Sequence, residues 1–236
     1  MTTPEIRDVV IANRVLAREG ILDAYGHVSM RDQRDPSRFS MAWARAPELI
    51  EDSDVMEFGA DGEPLSPDAR RPPYLERFIH AAIYEARPDV MAVCHNHTAS
   101  ILPFSISRTT RLRAVIHSAP NVGGEVPVWD IADEFGPETN LLVMNMQQAR
   151  SLARTLGGGR VVLMRGHGSA VVGPSVATVA STCINMDKNA RVQLQAIQLG
   201  EYIALGPGEV EKLPQAPGEP VLPDRAWEAY VRRAGF

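Results

Sequence analysis

Apolar residues recur at two spacings along the chain, and each spacing predicts a different kind of element. Spacing by three and four predicts helices over residues 4–19, 74–86, 147–156, 173–199 and 224–233. Short apolar runs bounded by turn residues predict strands at residues 24–31, 38–43, 55–58, 64–65, 90–97, 125–128, 140–145, 161–164 and 169–172. The first strands follow one another through short turns, so they are expected to pair antiparallel.

The predicted strand at residues 90–97 ends in two histidines separated by one residue, His95 and His97. Alternate residues of a strand face the same side, so both imidazoles would project together, as a divalent metal requires. Two histidines that hydrogen-bond loop carbonyls would explain the spacing equally well. A third histidine, His167, also ends an apolar strand and lies between two glycines, which would let the backbone approach a ligand closely.

The remaining ionisable candidates each have two interpretations. Glu76 and His80 lie four residues apart and so share one face of a predicted helix, where a solvent-facing pair is the simpler explanation. His27 stands in a turn, where it would either cap the turn or take part in proton transfer. His117 closes a basic segment at residues 108–119, which suits a structural or interface role as well as proton transfer or carboxylate binding.

Length, charge and cysteine content narrow the class of protein. The 236 residues suit a single domain, 1–236, because no linker interrupts them, with a Pro/Gly-rich tail from about residue 206 that should wrap the surface. The net charge of −5 and the lack of a Lys/Arg cluster argue against nucleic acid as a partner. No apolar stretch is long enough to span a membrane, and the first residues do not resemble a signal peptide. The two cysteines, Cys94 and Cys183, lie in apolar surroundings typical of reduced, buried thiols, so a cytoplasmic location is expected.

Three segments resemble the class II aldolase/adducin family over roughly residues 5–200: LERFIHAAIYEARPDV, AVCHNHTAS and VVLMRGHGSAVVG. The resemblance implies a three-layer α/β/α fold with a large, mostly antiparallel central sheet, commonly assembled as a homotetramer. It also implies a divalent metal ion held by His95, His97 and His167. Glu76 matches the catalytic acid/base of that family.

The chain departs from the sugar-phosphate aldolases of this family where they cradle phosphate. Their Gly-Asn-x-Ser turn here reads Gly26-His27-Val28-Ser29, and a Thr/Ser-Gly segment is replaced by one that contains Arg45. A planar guanidinium suits a carboxylate better than the small donors it replaces. These changes resemble the decarboxylase branch of the family, which acts on hydroxylated aromatic or heteroaromatic dicarboxylates such as 3,4-dihydroxyphthalate. The resemblance implies that Arg45 and Ser29 contact a small carboxylate substrate.

The predicted function is therefore a metal-dependent decarboxylase of aromatic catabolism, with Glu76 as the proton donor and His27 or His117 as second candidates. Zinc or manganese suits three imidazoles best, and iron or cobalt is also compatible. An aldolase or epimerase acting on a non-phosphorylated hydroxy-carbonyl compound would use the same site. A non-catalytic module, as in the adducins, has no use for an open metal site. A non-haem iron oxygenase would need two histidines and a carboxylate.

Overall fold

The computed structural model describes residues 4–213 and 225–236. Its α-helices are α1 (Pro4–Arg18), α2 (Arg77–Ala86), α3 (Leu102–Ile106), α4 (Ile131–Phe135), α5 (Met146–Leu156), α6 (Val176–Leu199), α7 (Pro207–Lys212) and α8 (Arg225–Arg233). Its strands are β1 (His27–Arg31), β2 (Phe39–Ala42), β3 (Val55–Phe58), β4 (Ala92–Asn96), β5 (Val128–Trp129), β6 (Val161–Met164) and β7 (Gly168–Gly173). Short 3-10 turns lie at Pro47–Leu49, Asp52–Asp54 and Pro120–Val122.

The strands form a seven-stranded sheet in the order β3-β2-β1-β4-β7-β6-β5. Every neighbouring pair is antiparallel except β5 and β6, which confirms the predicted mostly antiparallel sheet. The central strand β4 is buried along its whole length. Because β4 and β7 run in opposite directions, the last residues of β4 lie beside the first residues of β7.

Helices cover both faces of this sheet, which confirms the three-layer α/β/α arrangement. Cys94 of β4 belongs to a core that includes buried residues of α1 and α6. The preceding residue, Val93, belongs to a second core that includes buried residues of α2 and α5. Successive side chains of a strand point to opposite faces, so a strand covered on both sides reads as an unbroken apolar run.

One predicted strand is wrong. Residues 140–145 form an irregular loop in which Leu141 has a φ of 65°, a value outside the strand region. Of the apolar residues at 141–143, only Val143 is buried. Its backbone N–H donates to a carboxylate oxygen of Glu76 at 2.9 Å instead of to a neighbouring strand. An apolar run alone did not reveal that this backbone is used to hold a side chain.

Other predicted boundaries shift by a few residues. The helix predicted over residues 74–86 begins at Arg77, so Glu76 precedes its first turn. The strand predicted at 125–128 overlaps β5 only at Val128, and the one at 64–65 is reduced to a bridge between Phe58 and Pro64. The tail predicted from about residue 206 begins with α7, and its part at 214–224 lies outside the described residues. Within the described ranges, no helix combines the length and apolarity needed to cross a membrane.

Candidate metal and active site

Four side chains from three parts of the chain meet where β4 ends and β7 begins. His95 lies near the end of β4, His97 follows that strand, and His167 lies in the turn between β6 and β7. Glu76 reaches them from the residue before α2. One nitrogen of each histidine and one carboxylate oxygen all lie within 4.8 Å of one another. The two histidine motifs that the sequence separates by seventy residues are thus brought together as predicted.

The distances within this cluster are short. Nε2 of His97 lies 3.0 Å from Nε2 of His95 and 3.2 Å from Nε2 of His167. Oε2 of Glu76 lies 3.2 Å from Nε2 of His95 and 3.4 Å from Nε2 of His167. Two imidazole nitrogens bound to one tetrahedral metal at about 2.0–2.1 Å would stand roughly 3.3 Å apart. The spacing of the three imidazoles therefore fits a metal ion.

The opposite nitrogen of each imidazole supports the same conclusion. Nδ1 of His95 faces the carbonyl of Ser169 at 3.1 Å, and Nδ1 of His167 faces the carbonyl of Leu141 at 2.9 Å. Nδ1 of His97 faces the carboxylate of Asp23 at 3.0 Å. All three partners are acceptors, so each Nδ1 carries the proton and each neutral ring turns an Nε2 lone pair inward. Three lone pairs at this distance repel one another unless a cation lies between them.

The charge on Glu76 follows from its neighbours. Burial alone would raise the pKa of this carboxyl, but the charge that His95 carries when protonated, and the hydrogen bonds that protonated His167 and His95 donate, outweigh it and hold the pKa well below its usual range. Burial opposes protonation of His167, whereas its hydrogen bond to Glu76 raises the pKa of that imidazole. Burial, followed by the charge of His95, lowers the pKa of His97. Glu76 is therefore a carboxylate that can accept a proton before it donates one.

A second group of polar side chains lies beside this cluster, on the same side of the sheet. His27 of β1 is directly opposite His95 in the antiparallel pair of β1 and β4, and their ring centroids are 5.2 Å apart. Nδ1 of His27 lies 2.7 Å from Nε2 of His80, whose Nδ1 lies 2.6 Å from the hydroxyl of Ser29. That hydroxyl in turn lies 2.8 Å from the hydroxyl of Tyr84.

Burial decides the protonation of these two histidines. Burial and the neighbouring His80 lower the pKa of His27 well below its usual value. Burial and the charge of His95 lower the pKa of His80 to about 3. Both rings are therefore neutral. His80 is fully buried and Glu76 is only 7% exposed, so the sequence interpretation of these two residues as a solvent-facing pair is wrong.

The backbone of Arg45 is connected to the His27 side of the site through Tyr74. Its guanidinium pairs with Asp54 at 2.6 Å, and Asp54 also accepts from the indole N–H of Trp43 at 2.8 Å. The hydroxyl of Tyr74 donates to the backbone carbonyl of Arg45, and the Tyr74 ring lies 4.4 Å from that of His27. Asp54 bonds one end of the guanidinium, and the Arg45 side chain remains 31% exposed.

His117 is not brought to this cluster. It is exposed and lines a groove together with Leu205, Glu209 and Lys212. The segment before His117 has no regular secondary structure and lies along α6. There the backbone N–H of Val115 donates to the side chain of Asn189 at 2.8 Å. Among the contacts of the described residues, none joins His117 to the four clustered residues.

Sequence reasoning missed Asp23, which supports the site, and misinterpreted Gly168. Asp23 accepts backbone hydrogen bonds from Tyr25 and Gly26 before it reaches His97, and an aspartate two residues ahead of a turn was its only sequence signal. Gly168 was expected to admit a ligand, yet a Cβ at this position would lie 2.2 Å from the carbonyl oxygen of Asn96. The glycine is needed for the close approach of two backbones, β4 and β7.

The fold and the cluster together define a class II aldolase-like protein with a candidate metal centre. A solved structure of an aldolase II superfamily protein from Pseudomonas syringae superposes with a TM-score of 0.78 at 22% identity, covering 98% of this chain and 94% of that one. The chain matches the Class II Aldolase and Adducin N-terminal domain over residues 7–194. The chain belongs to the class II aldolase and adducin family.

Relatives in this family include named decarboxylases. Decarboxylase tropJ of Talaromyces stipitatus is 34% identical over 215 residues, which cover 86% of this chain and 80% of the relative. A 3,4-dihydroxyphthalate decarboxylase of a Terrabacter species is 29% identical over 242 residues, covering 96% of this chain and 95% of the relative. The second similarity extends over nearly the full length of both chains.

Proposed function

We propose that this protein is a metal-dependent carboxy-lyase that removes carbon dioxide from a hydroxylated aromatic or heteroaromatic dicarboxylate similar to 3,4-dihydroxyphthalate. The observation that carries the proposal is the convergence of three Nε2 lone pairs beside the buried carboxylate of Glu76. The similarity to proteins named as decarboxylases, one of them a 3,4-dihydroxyphthalate decarboxylase, supports it.

The chemistry of decarboxylation requires a place for an electron pair. When the bond from the ring carbon to the carboxylate breaks, its two electrons stay on the ring and must be delocalised onto an adjacent oxygen. A divalent ion held by His95, His97 and His167 would supply a Lewis acid at that oxygen, with a stabilisation of several kcal/mol.

Glu76 supplies the proton. As a carboxylate it accepts the proton of the substrate hydroxyl, and the oxyanion that remains pushes an electron pair into the ring. With that pair, the ring carbon that bears the carboxylate takes the proton back from Glu76. The bond to the carboxylate then breaks, carbon dioxide departs, and the bonding pair returns to the oxygen as the ring regains its aromaticity. The hydrogen bond from the backbone N–H of Val143 to Oε1 holds the carboxylate in place throughout, so that Oε2 is the oxygen nearest the imidazoles.

Arg45 grips the carboxylate that is retained. Its pairing with Asp54 fixes one end of the guanidinium and leaves its other N–H groups for a substrate carboxylate. Ser29 takes the position of a substrate-contacting serine in the sugar-phosphate aldolases. In this chain its hydroxyl is instead within hydrogen-bond distance of both His80 and Tyr84, so its effect on the substrate is indirect.

Zinc or manganese is the metal we expect, with iron or cobalt as alternatives, because imidazole binds all four. The proposed substrate is a small carboxylate, the proposed assembly a homotetramer and the proposed location the cytoplasm. Light scattering of the purified protein measures the assembly, and a monomer at micromolar concentration would contradict that part of the proposal.

The test of function is a substrate screen with added zinc, manganese, iron or cobalt. Hydroxylated phthalates, pyridine dicarboxylates, non-phosphorylated hydroxy-carbonyl compounds and sugar phosphates are incubated with the enzyme, and both carbon dioxide release and aldehyde formation are measured. The His97→Ala variant serves as the inactive control. Carbon dioxide from an aromatic dicarboxylate supports the proposal. Aldehyde from a hydroxy-carbonyl compound, at a rate above that of any aromatic acid, would instead establish the aldolase alternative.

A further inference from the structure

A continuous chain of hydrogen-bonding groups leads away from the metal cluster into the core, and the reaction proposed above does not use it. Its members, in order from the core, are Tyr84, Ser29, His80 and His27, joined by contacts of 2.8, 2.6 and 2.7 Å. None of the four is more than 6% exposed. Water therefore cannot satisfy the groups of this chain, and each proton must go to a neighbour within it.

The hydroxyl proton of Tyr84 sets the direction of every hydrogen bond in this series. Its hydroxyl is buried, and the polar groups against it are the hydroxyl of Ser29 and the backbone N–H of Val93. An N–H cannot accept a proton, so the Tyr84 hydroxyl donates to Ser29. The opposite direction would leave a buried phenolic O–H without an acceptor, at a cost of about 1–3 kcal/mol.

The positions of the remaining protons follow from the donation by Tyr84 to Ser29. The Ser29 hydroxyl has a single proton, which it donates to Nδ1 of His80. A neutral His80 that accepts at Nδ1 carries its proton on Nε2, and it donates that proton to Nδ1 of His27. Neutral His27 in turn must carry its own proton on Nε2. In the described part of the chain no hydrogen bond reaches that nitrogen.

His27 is well placed to donate this proton to a ligand of the metal site. It is the cross-strand partner of the metal-site residue His95, and side chains directly opposite one another on neighbouring strands share a face of the sheet. We propose that Tyr84, Ser29 and His80 hold His27 in the Nε2–H tautomer, as a hydrogen-bond donor to an oxyanion of the bound substrate. His80 is then a positioning residue, and His27 is a donor in the bound complex instead of a base.

The identity of the oxyanion rests on the proposed function, but the direction of the protons does not. Solid-state ¹⁵N NMR of protein labelled at the histidine rings, with and without Zn²⁺, reads the tautomers without any substrate. Signals that disappear in the His80→Gln and His27→Gln variants assign the two rings. Nδ1 of both His27 and His80 should resonate as an unprotonated nitrogen. A protonated Nδ1 on His27 would overturn the inference, whatever the outcome of the substrate screen.

A change at the far end of the chain separates this inference from a purely structural role. Tyr84→Phe removes the proton that sets the direction but keeps the ring, so Ser29 can either donate to His80 or accept from it. His27 should then populate both tautomers, and kcat/KM on the best substrate should fall at least twofold, in proportion to the fraction of the competent tautomer. Tyr202→Phe is the matched control, because its hydroxyl also bonds a side chain, that of Gln193, far from these residues in sequence.

A folded Tyr84→Phe protein in which His27 keeps a single Nε2–H tautomer would show that Tyr84 does not set the direction. The His80 position offers an independent comparison between glutamine, which can still donate to His27, and leucine, which cannot. The inference predicts that His80→Gln recovers most of the roughly tenfold loss in kcat/KM expected for His80→Leu. Equal losses in the two variants would contradict a role in hydrogen-bond donation.

Discussion

Two groups of histidines lie side by side in this protein, and they differ in what binds their Nδ1 atoms. In the metal cluster, the Nδ1 atoms of His95, His97 and His167 face a backbone carbonyl, a carboxylate and another carbonyl, respectively. In the buried chain, Nδ1 of His80 faces the hydroxyl of Ser29, and Nδ1 of His27 faces Nε2 of His80. At Nε2, the histidines of the first group present lone pairs, whereas His27 of the second group is expected to present an N–H.

This difference shows that the partner of one ring nitrogen decides what the other nitrogen can do. An acceptor on Nδ1 makes a neutral imidazole a metal ligand, whereas a donor on Nδ1 makes it a hydrogen-bond donor. All five rings are near one another, so proximity to the site does not distinguish them. The residues that do distinguish them, such as Asp23 and Ser29, are the ones that contact the Nδ1 atoms of His97 and His80.

The largest expected effect is the loss of metal from one group and not from the other. His97→Ala removes an inward lone pair and should lower zinc affinity by more than the roughly 10–100-fold that loss of an outer partner costs. His27→Ala should leave metal content unchanged, since its ring belongs to the second group. Elemental analysis and calorimetric titration with zinc measure both. Full metal occupancy in His97→Ala, or metal loss in His27→Ala, would break the comparison.

Glu76 belongs to the metal cluster, and its replacement should affect chemistry more than binding. Glu76→Gln keeps the size of the side chain but cannot carry the proton, so kcat should fall by about 10²–10⁴. Zinc content should stay near that of the unmodified protein, because the three imidazoles remain. Steady-state kinetics with metal analysis on the same sample measures this. If kcat is retained, the proton comes from another group, and His27 is the next candidate.

Replacement of Arg45 tests whether its guanidinium binds the substrate carboxylate. If it holds the retained carboxylate equally in the ground state and the transition state, Arg45→Ala should raise KM with little change in kcat. Loss of a charge-assisted bidentate contact should lower kcat/KM by some 30- to 1,000-fold, corresponding to about 2–4 kcal/mol. Arg45→Lys should recover only part of it, since an ammonium lacks the planar fork.

Arg38→Ala provides the control for Arg45, because Arg38 also pairs with an aspartate, Asp35, but at an exposed position. Its kinetics should match those of the unmodified protein. An Arg45→Ala protein with normal KM would remove Arg45 from the substrate site and leave it a structural partner of Asp54.

The smallest expected effect comes from the outer partner of His97. Asp23→Asn keeps an oxygen that can accept from Nδ1 but removes its charge, so zinc affinity should fall by about tenfold, the low end of the range for such partners. Asp61→Asn is the matched control, because Asp61 also accepts a backbone N–H two residues along the chain, from Glu63, but bonds no histidine. Equal zinc affinity in both variants would mean that the Asp23 charge does not tune the site.

The sequence by itself determined the parts of this structure that depend on local periodicity. The apolar spacing predicted the major helices and the buried strands, because burial of one face or of both faces repeats every few residues. The spacing of His95 and His97 placed both on one side of a strand, and His167 was a third candidate at a strand end. The resemblance to the class II aldolase family then assigned His167 to the metal and Glu76 to acid/base catalysis. All four meet as expected.

Only the tertiary structure decided how those residues are held and charged. The partners of the metal-site nitrogens come from distant segments: Asp23 is 74 residues from His97, and Leu141 is 26 residues from His167. His80, predicted to share an exposed face with Glu76, is instead packed against Ser29 of another element, 51 residues away. Local periodicity carries no information about such pairs, since each depends on which elements the sheet brings together. The tautomer of a histidine is therefore a property of the fold, and the histidine's place in the sequence does not determine it.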